Sequence, residues 1–205
     1  MKLYGSGNTP NPRKVKIVLA EKAIAYEMVE MNLREGEHKT PEFIQINPLG
    51  RVPVLEKDDG GFLTEAIAIC RYLEALHPDP NLFGGNAHDL GVIEMHLSQI
   101  ENDFWFQVRS SWKHSPVLAK MGYQVAPDAR VISDANVNAY YEKLNKDLGD
   151  KEYLAVSRFT IADIILLVSL DFAIHYCGLK PDESLKNLWR WHCLISSRES
   201  VEEIS

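Results

Sequence analysis

The sequence predicts two domains, a small mixed α/β domain followed by an all-helical one. Two observations lead to this fold class. Strand-like and helix-like patterns alternate over the first 78 of the 205 residues, and strand-like patterns stop beyond residue 86. Between the two parts, residues 77–86 are rich in proline, glycine and asparagine, which is typical of a connection. We therefore expect domains at residues 1–78 and 87–205, joined by a linker at residues 79–86.

The first domain should contain elements in the order β-α-β-α-β-β-α, which implies a mixed sheet covered by helices. Alternating residues predict strands over residues 2–6, 25–32, 52–56 and 61–63. Asp58-Asp59-Gly60-Gly61, between the last two strands, is a hairpin turn signal. Helical spacing predicts a helix through Val15, Val18 and Leu19, a short one from Pro41, and a third over residues 64–76.

The second domain should be a bundle of amphipathic helices around one buried helix. A spacing of three or four residues predicts a long helix through Leu90, Ile93, Leu97, Ile100, Phe104 and Val108. A second apolar stripe comprises Ile132, Val137, Tyr141, Leu144 and Leu148. Residues 161–176 are apolar on nearly all sides, which is typical of a central helix. A further helix should pass through Leu185, Leu188, Trp189 and His192.

Composition and charge exclude several classes of protein. The net charge is −7, and most of the acidic excess lies after residue 78. Neither part has the basic stripe that nucleic-acid binding requires, so we expect no nucleic-acid partner. No apolar run approaches the roughly 20 residues that span a bilayer, so we expect no membrane partner. Three cysteines with no metal-ligand spacing indicate a reducing, cytoplasmic location and no metal site.

The first motif lies where the first strand gives way to the first helix. Thr9-Pro10-Asn11 places a hydroxyl at the N-cap, a proline at the first helical position and an amide side chain next to it. Capping alone would explain these residues. The functional interpretation is that a hydroxyl, an amide and free N–H groups at a helix N-terminus form a site for an anion.

Two further motifs precede and begin the third helix. Val52-Pro53 follows Asn47-Pro48-Leu49-Gly50-Arg51 and should mark a turn, a sheet edge or a cis peptide bond. A cis bond would leave the backbone of Val52 ready to pair with a peptide-like ligand, whereas the alternative is a simple strand entry. Glu65 begins the third helix, where its carboxylate suits the helix dipole.

The fourth motif, Phe159-Thr160-Ile161-Ala162-Asp163-Ile164, has the pattern of a capping box. Thr160 and Asp163 should satisfy each other's N–H groups, while Phe159 and Ile164 form a hydrophobic staple. This structural role is sufficient to explain the motif.

In this order and spacing, the four motifs resemble those of the cytosolic glutathione S-transferases over essentially the whole chain. The Thr-Pro-Asn turn is similar to that of bacterial, serine- or threonine-type members, theta- or nu-like. The resemblance implies a thioredoxin-like N-terminal domain, a helical-bundle C-terminal domain, a homodimer and a role in detoxification. It also implies glutathione as the co-substrate, with no metal.

The resemblance implies the following roles. Thr9 would face the glutathione sulfur, and Asn11 is a second candidate for that contact. Val52, before Pro53, would exchange backbone hydrogen bonds with the cysteinyl part of glutathione, and Glu65 would meet the γ-glutamyl ammonium. The residues expected near the glycine carboxylate are His38, Lys39 and Arg51.

One position departs from the family pattern. Ala66 stands where a serine or threonine usually follows the acidic residue. Its N–H can still donate to the glutamyl carboxylate, but the hydroxyl contact is lost, so we expect weaker or altered glutathione affinity. The turn at residues 9–11 holds neither tyrosine nor cysteine, which disfavours the tyrosine-type and cysteine-type chemistries of the family.

The second substrate is expected against the long helix of the C-terminal domain. Trp105, Arg109 and Trp112 form a stripe at helical spacing, with Phe106 beside it. Such a stripe is often a core or dimer contact. If it faces the cleft, it makes an apolar pocket with one cation, suited to aromatic electrophiles or anionic products.

Three functions are compatible with these residues. The first is a glutathione transferase that activates the thiol as a thiolate for attack on an apolar electrophile. The second is a glutathione-dependent disulfide reductase, since the same turn without an active cysteine occurs in such members. The third is a non-catalytic binding module, which the change at Ala66 keeps open.

Overall fold

The computed structural model describes residues 1–7 and 9–204, and it divides into two compact units. The first unit comprises Met1–Leu82 and the C-terminal segment that begins at Glu199. The second unit comprises Phe83–Arg198. In the part of the chain that is described, no helix is long and apolar enough to cross a membrane.

A four-stranded mixed sheet forms the centre of the first unit. The strands are β1 (Lys2–Gly5), β2 (Glu27–Glu30), β3 (Val54–Glu56) and β4 (Phe62–Thr64). Their order is β2-β1-β3-β4, with β1 parallel to β2 and the other two pairs antiparallel. The helices are α1 (Pro10–Glu21), α2 (Pro41–Ile46) and α3 (Ala66–Leu76), with a short 3₁₀ turn at Glu37–Lys39. The predicted order β-α-β-α-β-β-α is confirmed.

Helices α1 and α3 pack together and bury the apolar faces that the sequence pattern indicated. Val15, Val18 and Leu19 of α1 are fully buried, as are Ile69 and Leu73 of α3. Full burial of side chains of this size contributes roughly 1.5–3 kcal/mol each to the free energy of folding, before conformational entropy is subtracted. The helices are therefore held to each other, and to the sheet, by ordinary hydrophobic packing.

A buried lysine fixes the C-terminal ends of α1 and α3. The ammonium of Lys22 lies 2.7 Å from the carboxylate of Glu74 and donates to the carbonyl oxygens of His77 at 2.6 Å and Pro80 at 2.8 Å. Glu74 in turn accepts the N–H of Leu82 at 3.1 Å. A buried charge is tolerated only when it is paired and hydrogen-bonded, so this arrangement determines the path of residues 77–82.

The second unit is helical in all its regular elements. The elements are α4 (Ala87–Gln99), α5 (Phe106–Lys113), α6 (Pro116–Lys120), α7 (Pro127–Leu148), α8 (Ile161–Phe172) and α9 (Lys186–Ser196). A π-helical segment, Ile100–Trp105, joins α4 to α5, and a second one, Ala173–Cys177, continues α8. Helix α10 (Glu199–Glu202) belongs to the first unit, where Ser200 donates to the carboxylate of Glu21 at 2.5 Å. All side chains from Ile161 to Leu170 are buried, which confirms α8 as a central helix.

Two predicted core positions are wrong. Leu90 and Ile132 are exposed, although the apolar spacing placed them on the buried stripes. Leu90 lies in the first turn of α4. On α7, Ser133 is buried in place of Ile132. The hydroxyl of Ser133 donates to Ser110 of α5 at 2.8 Å, and Ser111 of α5 donates to Asp134 of α7 at 2.5 Å. These polar contacts with α5 decide which face of α7 turns inward.

The capping box at the start of α8 is confirmed, and its acidic residue does more than cap. One carboxylate oxygen of Asp163 accepts the N–H of Thr160 at 3.0 Å and the hydroxyl of the same residue at 3.3 Å. The other oxygen accepts the N–H of Leu154 at 2.8 Å and the indole N–H of Trp191 at 2.9 Å. Burial raises the pKa of Asp163, and these hydrogen bonds oppose the rise. Asp163 therefore joins α8, α9 and the preceding loop.

We expect Asp163→Ala to lower the free energy of unfolding by about 3–5 kcal/mol, because it leaves several buried donors without an acceptor. Denaturant unfolding followed by circular dichroism measures the loss. Asp150→Ala, at an exposed position of the same loop, is the matched control and should change stability by no more than about 0.5 kcal/mol. Equal losses in the two variants would contradict the role given to Asp163.

Candidate functional site

Strand register brings three of the sequence motifs to one edge of the sheet. Tyr4 of β1 pairs with Val54 of β3, and Val54 pairs with Thr64 of β4. Neighbouring strands lie about 4.8 Å apart. The turn into α1, the Val52-Pro53 segment and Glu65 each continue directly from these paired residues. They therefore lie side by side at the same end of the sheet.

At the start of α1, the available hydrogen-bond donors differ from those that the sequence predicted. Thr9 occupies the N-cap position and Pro10 begins the helix, but the Thr9 side chain makes no capping bond. Its hydroxyl and its N–H both donate to the carbonyl oxygen of Ser6, at 2.7 and 3.0 Å. The expectation of several free first-turn N–H groups is also wrong, because Pro10 and Pro12 have none.

Asn11 is the donor that this turn leaves available. It is half-buried, and within residues 1–7 and 9–204 its side chain has no hydrogen-bond partner. Its carboxamide carries two N–H donors. Its neighbour Asn8 lies outside the described residues. Asn11 can therefore donate to a ligand without giving up a contact with the described residues, whereas Thr9 must first release Ser6.

The Val52–Pro53 peptide bond is cis, one of the alternatives that the sequence allowed. Among the described residues, neither the N–H nor the carbonyl of Val52 has a hydrogen-bond partner. Asn47, which the sequence analysis did not single out, holds the segment in place. Its buried amide donates to the carbonyl of Arg51 at 2.7 Å and accepts the N–H of Leu49 at 3.1 Å. The Asn-Pro-Leu-Gly turn was the signal that could have identified it.

Glu65 is held in an unusual backbone conformation. It is the N-cap of α3 with φ 66° and ψ 117°, a region that non-glycine residues rarely occupy. Such a conformation costs about 1–3 kcal/mol and is concentrated at functional sites. The side chain is exposed, and the next residue, Ala66, is buried with its N–H at the first position of α3.

The three cationic candidates differ in what they offer a ligand. The Lys39 ammonium donates to the carbonyl oxygens of Leu49 at 3.3 Å and Gly50 at 2.8 Å, so it stabilises the loop. Burial, and then the charge of Lys39, lower the pKa of His38, which makes it a neutral side chain at pH 7. Arg51 is exposed, and its guanidinium makes no ion pair with any described residue.

Two of the three cysteines are buried, and their thiols are poorly ionised. Cys70 and Cys177 are buried, and burial raises their pKa values to about 12 and about 11. Neither thiol ionises appreciably at neutral pH, and the thiolate is the reactive form. A thiolate at this edge of the sheet would therefore not come from Cys70, the cysteine of the first unit.

In the second unit, two residues of the predicted stripe meet in an aromatic cluster. Trp105 and Trp112 contact the ring of Phe172 edge-on, at centroid distances of 5.5 and 5.8 Å. Tyr176 stacks on Phe172 at 4.7 Å, an i, i+4 pair that the sequence analysis missed.

Arg109, the third residue of the stripe, and Phe106 beside it are exposed. The guanidinium of Arg109 lies 5.9 Å from the ring centroid of Trp105. Phe106 is exposed and has no ring contact with the cluster among the described residues. The assignment of Trp105, Phe106, Arg109 and Trp112 to a second-substrate pocket stays a prediction.

Comparisons with known proteins identify the family of the chain. The family model for the glutathione S-transferase N-terminal domain matches residues 1–75, and the model for the C-terminal domain matches residues 113–199. The chain is 33% identical over 211 residues to glutathione S-transferase 2 of Saccharomyces cerevisiae, covering 100% of this chain and 89% of that protein. It is 29% identical to glutathione S-transferase F7 of Arabidopsis thaliana, covering 100% and 98%.

Solved structures give the same result. The crystal structure of Gtt2 from Saccharomyces cerevisiae superposes with a TM-score of 0.92 at 31% identity, and each chain is covered completely. A Gtt2-class glutathione S-transferase of Vibrio parahaemolyticus gives a TM-score of 0.86 at 29% identity, covering 98% of this chain and 96% of that one. The theta- or nu-like type stays a prediction. The two matched domains and the full-length similarity show that this chain belongs to the glutathione S-transferase family.

Proposed function

We propose that the protein binds glutathione at the edge of the sheet and activates its thiol as a thiolate for conjugation to an apolar electrophile. One observation carries the proposal: the pairing of Tyr4 with Val54 and of Val54 with Thr64. The pairing brings together the ends of β1, β3 and β4, and the segments that adjoin these ends hold a hydroxyl and an amide at a helix start, a backbone segment without a partner among the described residues, and a carboxylate. These groups match the thiol, the peptide backbone and the ammonium of glutathione.

Each part of the tripeptide has a partner among these residues. The backbone of Val52, beside Pro53, would pair with the cysteinyl residue in the manner of an added strand. The Glu65 carboxylate would meet the γ-glutamyl ammonium, and the N–H of Ala66 would donate to the neighbouring carboxylate. Arg51 is the cation best able to meet the glycine carboxylate, because Lys39 is bound to loop carbonyls.

His38 would donate to the same carboxylate as a neutral imidazole, because its pKa is lowered. Its Nδ1 is buried and has no partner among the described residues. In that contact the other ring nitrogen, Nε2, would carry the proton and donate a hydrogen bond to the carboxylate. Which nitrogen holds the proton in the bound state follows from that contact.

The energy needed for thiol activation is small. A thiol with a pKa near 8.5 is about 3% ionised at pH 7, and lowering that pKa by about two units requires about 2.7 kcal/mol. A hydrogen bond to a charged group contributes about 1.5–3 kcal/mol. The Thr9 hydroxyl must first break its hydrogen bond to the carbonyl of Ser6, a neutral bond worth about 1 kcal/mol. Its net contribution to thiolate stability is therefore about 0.5–2 kcal/mol. Asn11 supplies the remainder without that cost.

The experiment that tests the function compares two glutathione-dependent reactions. Conjugation of glutathione to a model aryl halide is expected, together with thermal stabilisation by glutathione. Reduction of a small hydroxyethyl disulfide without conjugation would instead identify the glutathione-dependent disulfide reductase. No retention on a glutathione resin and no thermal stabilisation would identify the non-catalytic module.

The proposal includes a homodimer in the cytoplasm that acts in detoxification. Homodimers are typical of the family, and three unpaired cysteines, two of them buried, fit a reducing compartment. Sedimentation equilibrium should give twice the chain mass of 23.3 kDa. A second substrate held by Trp105, Phe106, Arg109 and Trp112 is also part of this proposal.

We expect Thr9→Val to raise the pKa of enzyme-bound glutathione by up to about 1.5 units, since it removes the hydroxyl that would donate to the sulfur. Asn11→Ala should raise it by about one to two units, since no competing contact offsets the amide. Thiolate absorbance titrated against pH measures both values.

Thr9→Ser is the matched control, because it keeps the hydroxyl and should retain the low pKa. If Thr9→Val and Asn11→Ala both leave the titration and the turnover unchanged, neither residue stabilises the thiolate.

We expect Glu65→Gln to raise the KM for glutathione by about tenfold or more, because it removes the charge that would meet the ammonium. The kcat at saturating glutathione should stay within about twofold, since the side chain contacts a part of the substrate that does not react. Glu42→Gln, at an exposed position on α2, is the control. A normal KM in Glu65→Gln would remove this residue from the binding site.

A further inference from the structure

The most exposed apolar side chains of the helical unit are concentrated in one short segment of the chain. Among the described residues, the four most exposed large apolar side chains all fall between residues 121 and 132. They are Val131, Met121, Ile132 and Tyr123, exposed by 69, 63, 62 and 60%. A folded protein normally leaves such side chains exposed singly, so their concentration in twelve residues points to a contact surface.

Hydrogen bonds of the backbone hold the segment that carries Met121 and Tyr123 in place. The segment after α5 is closed at its base, where Nδ1 of His114 accepts the N–H of Ala126 at 3.0 Å. Tyr123 is held inside it by the bond from its N–H to the carbonyl of Leu118 at 3.1 Å.

On α7, the inward positions are already in use. Arg130 donates to the carbonyl of Cys177 at 2.9 Å, and Ser133 donates to Ser110. Val131 and Ile132, between these two positions, therefore face away from the bundle.

The charge of this surface is opposite to that of the chain. The chain carries −7, yet residues 113–132 hold three cations, Lys113, Lys120 and Arg130, and one acidic residue, the exposed Asp128. Lys113 and Lys120 are exposed, and Arg130 is paired with Asp134. Exposed apolar side chains flanked by lysines form a surface that is both apolar and basic, and its complement is apolar and anionic.

We propose that residues 113–132 dock on an anionic lipid surface. Val131, Ile132, Met121 and Tyr123 enter the boundary between headgroups and acyl chains, and Lys113 and Lys120 meet the anionic headgroups. A second copy of the chain is the alternative occupant, and the oligomeric state of the variants distinguishes it from a bilayer.

A bilayer fits better than a protein groove for a reason of shape. Val131 and Ile132 are consecutive, so they do not form the i, i+3, i+4 stripe that a groove receives. A bilayer has no such shape requirement. This docking is peripheral and revises the expectation of no membrane partner, which rested on the lack of a spanning segment. It does not depend on the proposed function.

Sedimentation with vesicles tests the proposal. The full-length protein should sediment with vesicles of phosphatidylcholine mixed with phosphatidylglycerol at low salt, and it should be released at high salt. It should stay in the supernatant with vesicles of phosphatidylcholine alone. Lys113→Glu with Lys120→Glu should weaken partitioning by about 30-fold or more. Val131→Ser with Ile132→Ser should weaken it by about tenfold or more.

Leu194→Ser is the matched control, because it removes an exposed apolar side chain from α9, and it should bind like the unaltered protein. Thermal unfolding of each variant separates lost docking from lost folding. Three results would overturn the proposal: no binding to anionic vesicles, equal binding to neutral vesicles, or equal loss in Leu194→Ser. A dimer that dissociates in the Val131→Ser/Ile132→Ser variant would assign the surface to a second copy instead.

Discussion

The pairing of β3 with both β1 and β4 is the constraint on which the candidate site depends. Side chains alternate between faces along a strand, so a shift of one residue in the β1–β3 pairing would put Leu3 and Leu55, which are both fully buried, on opposite faces of the sheet. The buried face therefore fixes the register, and the register fixes which segments emerge together at the edge. The position of the turn into α1 relative to Val52 and Glu65 is thus a consequence of hydrophobic packing some residues away.

Buried polar residues fix the paths of the loops that the strand register alone does not determine. Asn47, Lys22 and Asp163 are each buried, and each is surrounded by partners that satisfy it. Because an unsatisfied buried polar group costs about 1–3 kcal/mol, each of these residues admits few alternative loop paths. Asn47 supports the candidate site directly, since it holds the carbonyl next to Val52. Asp163 has the corresponding role inside the helical unit, where it joins elements that are distant in sequence.

The chemistry proposed for the site follows from how few donors it has. Two prolines in the first turn of α1 remove N–H groups that a helix start usually offers. The Thr9 hydroxyl already donates to the carbonyl of Ser6. The proposed activation of a thiol then depends mainly on side-chain donors, and among residues 1–7 and 9–204 the Asn11 side chain has no partner. In the proposed reaction the sulfur is that of glutathione, and the thiols of the two buried cysteines are poorly ionised. The strained backbone of Glu65 sets its carboxylate at the start of α3, next to the same edge.

Local patterns in the sequence determined the order of elements, the central place of α8 and the capping box, because periodicity and capping are properties of short segments. They also identified the motifs that meet at the edge of the sheet, together with the family that those motifs resemble. Three things depended on tertiary contacts: the donation of Thr9 to Ser6, the binding of Lys39 to loop carbonyls, and the exposure of Ile132 in place of Ser133. In each case the deciding partner is a group that the local pattern does not specify, so only the folded chain shows which hydrogen bonds are made and which side chains are left for a ligand.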